Sequence, residues 1–290
     1  MSEQQITPEL RAWIIEQAVA GHQPEVVLKA MCASGWNEDV ALDALEQTLK
    51  TYLAERDGAP AKAAEAPALP PAVKVPGPLL SDERVLLNAG DREVEMVLSL
   101  QDPAIVVFGG LLSHEECDEL VAMARLRLIR SETVDTATGA SEVNSARTSD
   151  GMFFARGENE LCTRIENRMA TLLRWPLENG EGLQILRYAP GAEYLPHYDY
   201  FDPDQPGTPA ILKRGGQRVG TLVVYLNTPE RGGATIFPDV KMAVAPVKGN
   251  AVFFTYDRAH PSTRSLHGGA PVLAGEKWVA TKWMREGRFD

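Results

Sequence analysis

The chain has 290 residues, of which 44% are hydrophobic and 24% charged, so it is long enough for one large domain or two unequal domains with packed cores. Its formal net charge of −11 at pH 7 argues against general binding to nucleic acids or to anionic membranes, because both require clustered basic residues. The three widely spaced cysteines, and the lack of a signal-peptide pattern in MSEQQITPELRAW, predict a cytoplasmic protein without a disulfide framework.

The first part of the chain has three segments with apolar residues at helical spacing. Thr7 and Asn37 stand where N-caps are expected, and Gly35 stands where the second helix should end. These signals predict a three-helix module over residues 1–57. The module resembles the ubiquitin-associated type in its size and in the stretch ASGWNEDVALDAL, which predicts a protein partner for it. A module that merely packs on the rest of the chain is the alternative.

An Ala/Pro-rich stretch, residues 58–79, predicts a linker, because its prolines forbid a continuous helix and few of its side chains are large. Residues 80–290 then form the larger domain. Two helices are predicted in it, the first opened by Ser113 and Glu116 in capping-box spacing. After Leu183 the pattern changes to short strands separated by Pro and Gly. The sequence therefore predicts an α+β domain with a mainly β core, a jelly-roll barrel with helices packed on one sheet.

The stretch YLPHYDYF contains two candidate metal ligands. His197 and Asp199 are two residues apart, so on a strand their side chains point to the same face. A third histidine from a distant strand would complete a facial triad for Fe(II). His267 is favoured because Gly-Gly follows it, where a backbone can approach a metal closely.

The other candidates are the remaining histidines of the chain, His22, His114 and His260. The first lies in the helical module and the second in the first turn of a predicted helix, so both are poor choices. On spacing alone, a core histidine held by a neighbouring carboxylate is the commoner explanation of an H-x-D pair.

A lysine opens the predicted strand KWVATKWM, on which alternate side chains share one face, namely Lys277, Val279, Thr281 and Trp283. If that face lines the barrel interior, the lysine needs an anion, because an unpaired buried ammonium is costly. A dicarboxylate cosubstrate would supply one. The alternative is a lysine at a strand end in contact with solvent.

Three segments, LRYAPGAEYLPHYDYF, GGQRVGTLVVYLNTPERGGATIFP and SLHGGAPVLAGEKWVATKW, resemble the 2-oxoglutarate- and Fe(II)-dependent dioxygenases of the prolyl 4-hydroxylase family, in its collagen, plant and algal branch. The resemblance extends over residues 80–290. It implies a double-stranded β-helix core that uses Fe(II), 2-oxoglutarate, O2 and ascorbate. The implied reaction is 4-hydroxylation of proline in a peptide or protein, with release of succinate and CO2.

The same resemblance implies roles for individual residues. The implied catalytic iron ligands are His197, Asp199 and His267. Lys277 matches the family residue that pairs with the far carboxylate of 2-oxoglutarate. Thr235 in GGATIFP matches its hydroxyl partner, and Tyr188 in LRYAPG matches a tyrosine of the cosubstrate pocket.

Substrate contacts are implied for three residues. Arg147 lies in SARTSDGMFF, which resembles a segment near the mobile loops that close over the peptide. Arg218 in GGQR and Tyr194 match positions that line the peptide groove, where a guanidinium holds carbonyls and a ring stacks on proline. Surface packing or an ion pair is the alternative for each. The missing signal peptide and the cysteine usage argue against collagen as the substrate.

Two other functions stay open from the sequence. One keeps iron and 2-oxoglutarate but hydroxylates a free amino acid or another small metabolite. The other is a scaffold in which the helical module serves as an adaptor and the barrel has no catalytic role.

Overall fold

The computed structural model describes residues 6–19, 23–58, 69–80, 85–130, 133–134, 141–142 and 148–290. The chain divides into two units, Met1–Ala68 and Leu69–Asp290. None of the described helices is both long and apolar enough to cross a membrane.

The smaller unit consists of three helices, α1 (Pro8–Val19), α2 (Pro24–Ala33) and α3 (Glu38–Gly58). Both expected N-caps are present, since Thr7 Oγ1 accepts the Leu10 N–H at 3.3 Å and Asn37 Oδ1 accepts the Asp39 N–H at 3.0 Å. Gly35 follows α2 with φ near +92°, a conformation that favours glycine. The buried residues that hold the helices together are Ile14, Val27, Met31, Ala41, Ala44 and Leu45.

The C-terminal part of the predicted linker packs on the larger unit. The Val73 N–H donates to the Asp257 carbonyl and the Gly77 N–H to the Leu173 carbonyl, both at 2.8 Å. Pro76 is buried against the larger unit. Proline prevents a helix here, yet an extended proline-containing segment can still pack on a core and share its hydrogen bonds. Residues 69–79 therefore belong to the larger unit, and residues 59–68 lie outside the described residues.

The helices of the larger unit are α4 (His114–Arg125), α5 (Glu160–Leu173) and α6 (Thr208–Leu212). Its strands are β1 (Leu86–Asn88), β2 (Glu93–Leu100), β3 (Ile105–Gly109), β4 (Ile129–Arg130), β5 (Thr133–Val134), β6 (Ser141–Glu142), β7 (Asp150–Phe154), β8 (Leu183–Tyr188), β9 (Tyr194–His197), β10 (Arg218–Tyr225), β11 (Arg231–Gly232), β12 (Thr235–Phe237), β13 (Met242–Val244), β14 (Ala251–Thr255), β15 (His267–Gly269), β16 (Val272–Ala274) and β17 (Lys277–Arg285).

Most of these strands belong to two sheets. One has nine strands in the order β1-β2-β3-β14-β10-β17-β8-β7-β4, and the other has four in the order β13-β12-β15-β9. Two short pairs, β11-β16 and β5-β6, accompany them. The strand pairings of the described residues are all antiparallel, as expected for a jelly-roll barrel.

The two predicted helices of this unit are present as α4 and α5. The predicted capping box opens α4, with the Glu116 N–H donating to Ser113 Oγ and the Ser113 N–H to Glu116 Oε2. Asn159 caps α5 by accepting the Cys162 N–H at 2.8 Å. Each strand predicted after Leu183 is also present, from β8 to β17.

Alternation along the central strands divides the core into two layers. Phe108 of β3 and Ile185 of β8 pack in a cluster with apolar side chains of α4 and α5. Their neighbours Val107 and Leu186 point to the other face and pack with Phe237 of the smaller sheet. The result is two facing sheets with helices on the outer face of the larger one. This is the expected α+β class with a double-stranded β-helix core.

Candidate active site

Two histidines face each other across a pair of antiparallel strands. His197 ends β9, His267 begins β15, and the two are register partners with ring centroids 4.4 Å apart. Asp199 follows two residues after His197, and its carboxylate oxygens lie 3.5 Å from His197 Nε2 and 3.4 Å from His267 Nε2. One donor atom from each residue lies within 4.8 Å of the others, so the structure brings together the three side chains that could share one metal ion.

Glycine after His267 allows this approach. A Cβ at Gly268 would lie 2.8 Å from the Tyr194 carbonyl oxygen, closer than real Cβ atoms come to a neighbour. The Gly-Gly sequence therefore brings one strand close to its partner strand, whereas the sequence suggested that it would bring the backbone close to a metal. His260 lies apart from the cluster and accepts the Ser262 N–H at 3.0 Å through its Nδ1. His114 begins α4, and His22 lies outside the described residues.

Backbone carbonyls fix the orientation of both imidazoles. His197 Nδ1 lies 2.9 Å from the Leu195 carbonyl oxygen, and His267 Nδ1 lies 3.0 Å from that of Ser265. A carbonyl can only accept, so each Nδ1 carries a proton, and in the neutral ring the lone pair of Nε2 then faces the cluster. Metal-binding histidines are held in this manner.

The charges of the cluster also suit a metal. Burial lowers the pKa of His267 to about 4, so its imidazole is neutral at pH 7. Burial opposes ionisation of Asp199, but the imidazoles, which are protonated at the low pH where this carboxyl titrates, and the Arg218 guanidinium together lower its pKa well below its usual range. Neutral imidazoles and an ionised carboxylate are the forms that coordinate Fe(II).

Lys277 lies in the same pocket as the three candidate ligands. Its side chain is buried, with 4% of the residue exposed, and no carboxylate among the described residues forms an ion pair with it. Its Nζ lies 5.5 Å from the ring centroid of Tyr188 and 5.8 Å from that of Tyr225. Burial lowers the pKa of Lys277 to about 8. An anionic ligand in the pocket would therefore gain from this ammonium.

The alternation predicted for β17 holds, because the side chains that line the pocket on this strand are Lys277, Val279, Thr281 and Trp283. Tyr188 is the register partner of Lys277 on β8, and it lines the pocket as well. The lysine therefore extends into the barrel interior and is not a strand-end lysine in solvent.

Thr235 lines the pocket and has a partner that the sequence did not reveal. The Tyr225 O–H donates to Thr235 Oγ1 at 2.8 Å, and both side chains are buried. Since Thr235 accepts this proton, its own hydroxyl proton is available to an acceptor in the pocket. Tyr225 could have been found from the alternation of β10, on which Thr221, Val223 and Tyr225 share one face.

The residues predicted to contact substrate have different surroundings. Tyr194 lines the pocket and stacks on His197, with ring centroids 3.7 Å apart. Arg218 has its guanidinium held by Glu181, a buried carboxylate that the sequence did not single out. Arg147 lies outside the described residues.

Comparisons with known proteins agree with this geometry. A sequence model of the 2OG-Fe(II) oxygenase superfamily matches residues 183–285. The chain is 38% identical over 235 residues to Prolyl 4-hydroxylase 2 of Arabidopsis thaliana, covering 73% of this chain and 76% of the relative. It is 42% identical over 218 residues to Prolyl 4-hydroxylase 1 of the same plant, covering 69% and 75%.

One of the comparisons is with a solved structure. The viral collagen prolyl hydroxylase of Paramecium bursaria Chlorella virus-1, in complex with 2-oxoglutarate, is 31% identical, with a TM-score of 0.49. The match covers 62% of this chain and 95% of the viral one.

Proposed function

The chain belongs to the prolyl 4-hydroxylase family of 2-oxoglutarate- and Fe(II)-dependent dioxygenases, and from this premise we propose that it hydroxylates proline at the 4-position in a peptide or protein. One observation carries the proposal. The buried ammonium of Lys277 lines the same pocket as the cluster of His197, Asp199 and His267. A scaffold has no need of an unpaired lysine beside a metal-binding triad.

The metal ligands are proposed to be His197, Asp199 and His267. Bound Fe(II), with 2-oxoglutarate and O2, supplies the oxidising chemistry, in which 2-oxoglutarate becomes succinate and CO2 and one oxygen atom enters a substrate C–H bond. Three protein ligands leave coordination sites for the other reactants. The carbonyls of Leu195 and Ser265 hold the two imidazoles with Nε2 facing inward, before any ligand arrives.

The cosubstrate is proposed to bind through Lys277, Thr235 and Tyr188. The ammonium of Lys277 pairs with one carboxylate of 2-oxoglutarate, and the hydroxyl proton of Thr235 is free to donate to the same group. Tyr188 lies opposite Lys277 on the neighbouring strand. Because all three side chains are buried, these contacts are shielded from water and are stronger than they would be at the surface.

The prolyl substrate is proposed to contact Tyr194, Arg218 and Arg147. The stacking of Tyr194 on His197 places an aromatic ring beside the metal cluster, where a proline ring could pack.

The indole of Trp283 also supports a peptide ligand. Trp283 lines the pocket, and its buried indole N–H has no acceptor among the described residues. A carbonyl oxygen of a bound peptide would satisfy that donor.

Three further features belong to the proposal. Ascorbate is the reductant that would keep the iron as Fe(II) between turnovers. A cytoplasmic location is supported by the cysteines, since Cys32, Cys117 and Cys162 are all free thiols. The N-terminal helices, residues 1–57, are proposed to be a separate module that binds a protein partner.

The test is product analysis with a proline-rich peptide. Purified protein receives Fe(II), 2-oxoglutarate and ascorbate, and succinate release and the mass of the peptide are measured together. We expect succinate in proportion to peptide that has gained one oxygen atom, with the oxygen on proline by fragmentation. The matched controls are a peptide with alanine in place of proline, and free proline. Succinate that depends on free proline and never on peptide would contradict the protein-substrate proposal.

A further inference from the structure

Two hydroxyl groups, those of Tyr256 and Thr221, form a line of hydrogen bonds that ends at the carboxylate of Asp199. Thr221 Oγ1 lies 2.7 Å from Asp199 Oδ2 and 2.9 Å from the phenol oxygen of Tyr256. All three side chains are buried, with 1% of Thr221, 1% of Tyr256 and 7% of Asp199 exposed. Thr221 lies on β10 and Tyr256 directly follows β14, the strand paired with β10. Three separate segments thus meet at one carboxylate.

The direction of these hydrogen bonds follows from proton counting. A hydroxyl has one proton, and an ionised carboxylate can only accept, so Thr221 must donate its proton to Asp199. The proton between Thr221 and Tyr256 must then come from the phenol. Burial raises the pKa of Tyr256 well above its usual range, so the phenol keeps that proton. Tyr256 donates to Thr221, which donates to Asp199, and each bond polarises the next.

Packing alone does not account for the phenol. The Tyr256 ring lies among other aromatic rings, 6.1 Å from that of Tyr200 and 6.3 Å from that of Phe254 between centroids. A phenylalanine would fill this volume equally well, and a buried hydroxyl without a partner is costly. The Tyr256 hydroxyl finds its partner in Thr221, so its contribution is made through that residue.

We propose that Tyr256 is a positioning residue for the metal-ligating carboxylate of Asp199 and acts through Thr221. The two hydroxyls hold Oδ2 in place, while Oδ1 faces His197 Nε2 at 3.5 Å. The carboxylate therefore has its orientation before the metal binds, which reduces the ordering required on binding. This inference rests on the metal site of the proposed function.

The test is a calorimetric titration of the apoprotein with Mn(II). Oxygen, cosubstrate and substrate are all left out. We expect Thr221→Val to weaken binding by about 10- to 100-fold, the usual effect of losing such a partner. Tyr256→Phe, which removes only one oxygen atom, is expected to weaken binding by a smaller factor, of about 3- to 10-fold. Thr221→Ser keeps the hydroxyl and is expected to bind close to the wild-type protein. Thr255→Val, a buried threonine on β14 outside the line, is the matched control.

A double variant separates positioning from general destabilisation. If Tyr256 acts only through Thr221, then Tyr256→Phe causes no further loss of affinity in the Thr221→Val protein, whereas independent structural damage would add. Additive losses, or Mn(II) affinities of Tyr256→Phe and Thr221→Val equal to that of the wild type, would overturn the inference. Thr221→Ser binding as weakly as Thr221→Val would overturn it too. Failure of the wild-type protein to bind Mn(II) would overturn the metal site itself.

Discussion

Glu181 and Arg218 form a bidentate ion pair in the interior beside the candidate active site, with Nε–Oε1 and Nη2–Oε2 distances of 2.7 and 3.0 Å. Arg285 donates to the same carboxylate through its Nε, at 2.6 Å. The Cζ atom of Arg218 also lies 4.0 Å from the ring centroid of Trp283. A residue predicted from sequence to contact substrate is therefore also part of a buried charge cluster.

Glu181→Gln is expected to destabilise the protein strongly. Although burial disfavours a carboxylate, the two arginines keep the pKa of Glu181 below its usual range, so the charge is present at pH 7. Its loss removes the carboxylate that pairs with both buried guanidinium groups, which costs roughly 3–5 kcal/mol. Urea unfolding measures the change. Glu119→Gln, an exposed position on α4, is the control and should have little effect. Equal stabilities of the two variants would exclude this role for Glu181.

Removal of a candidate ligand is expected to abolish metal binding. Asp199→Ala and His267→Ala each take one donor from a three-donor site. At Mn(II) concentrations that saturate the wild-type protein, calorimetry should detect no binding to either variant. His260→Ala is the matched control, because this histidine lies outside the cluster and caps a local turn. A variant that binds Mn(II) as the wild type does would take that residue out of the ligand set.

Lys277→Met is expected to raise the 2-oxoglutarate requirement and to leave Mn(II) binding unchanged. The substitution removes the ammonium that we propose pairs with the cosubstrate carboxylate but retains a long apolar chain in the buried pocket. The measurement is succinate release against 2-oxoglutarate concentration, with the peptide saturating. Lys248→Met, at an ammonium paired with Asp118 near the surface, is the control. An unchanged half-saturating concentration would exclude Lys277 as the carboxylate partner.

The lowered pKa of Lys277 predicts how the stability of the protein changes with pH. Burial lowers the pKa of Lys277 from 10.5 to about 8, so between these values the unfolded chain holds a proton that the folded one lacks. Stability therefore rises with pH across this window, by roughly 3 kcal/mol in total. The free energy of unfolding of the wild type minus that of Lys277→Met should rise from pH 8 to pH 10.5. A difference independent of pH would show that the ammonium is solvated in the folded state.

The local sequence pattern was sufficient to predict many strands of this fold, but it missed others. Six strands after Leu183 were predicted because Pro and Gly separate them clearly, namely β8, β10, β12, β13, β14 and β17. Strand β3 was missed because its five residues, Ile105–Gly109, are all buried, and a short apolar run does not reveal its period. Strand β2 was missed because its apolar side chains are not confined to one face, with Val97 and Leu98 both exposed.

The candidate site shows the same limit. His197 and Asp199 are close in sequence, so their common face could be inferred from strand periodicity. Tyr256 and Glu181 reach the site through the registers of strands that are distant in sequence, and no local spacing encodes such a contact. Gly-Gly after His267 and the strand position of Lys277 singled these two residues out, and the resemblance to a family implied their roles. The groups that hold the candidate ligands in place required the structure.

The packing of residues 69–79 predicts how far the larger unit can be shortened. A fragment of residues 69–290 retains the hydrogen bonds from Val73 to Asp257 and from Gly77 to Leu173, whereas a fragment of residues 80–290 loses both, together with the buried Pro76.

We expect the shorter fragment to be less stable by roughly 2–4 kcal/mol, from two hydrogen bonds of about 1 kcal/mol each and the exposed apolar surface. Both fragments lack the N-terminal helices, so the comparison isolates residues 69–79. Urea unfolding measures the difference. Equal midpoints would show that this segment contributes nothing to stability, as expected of a linker. Release of succinate by the 69–290 fragment without peptide, at the rate of the full chain, would in addition show that the helices are dispensable for the chemistry, as expected of a module that binds a partner.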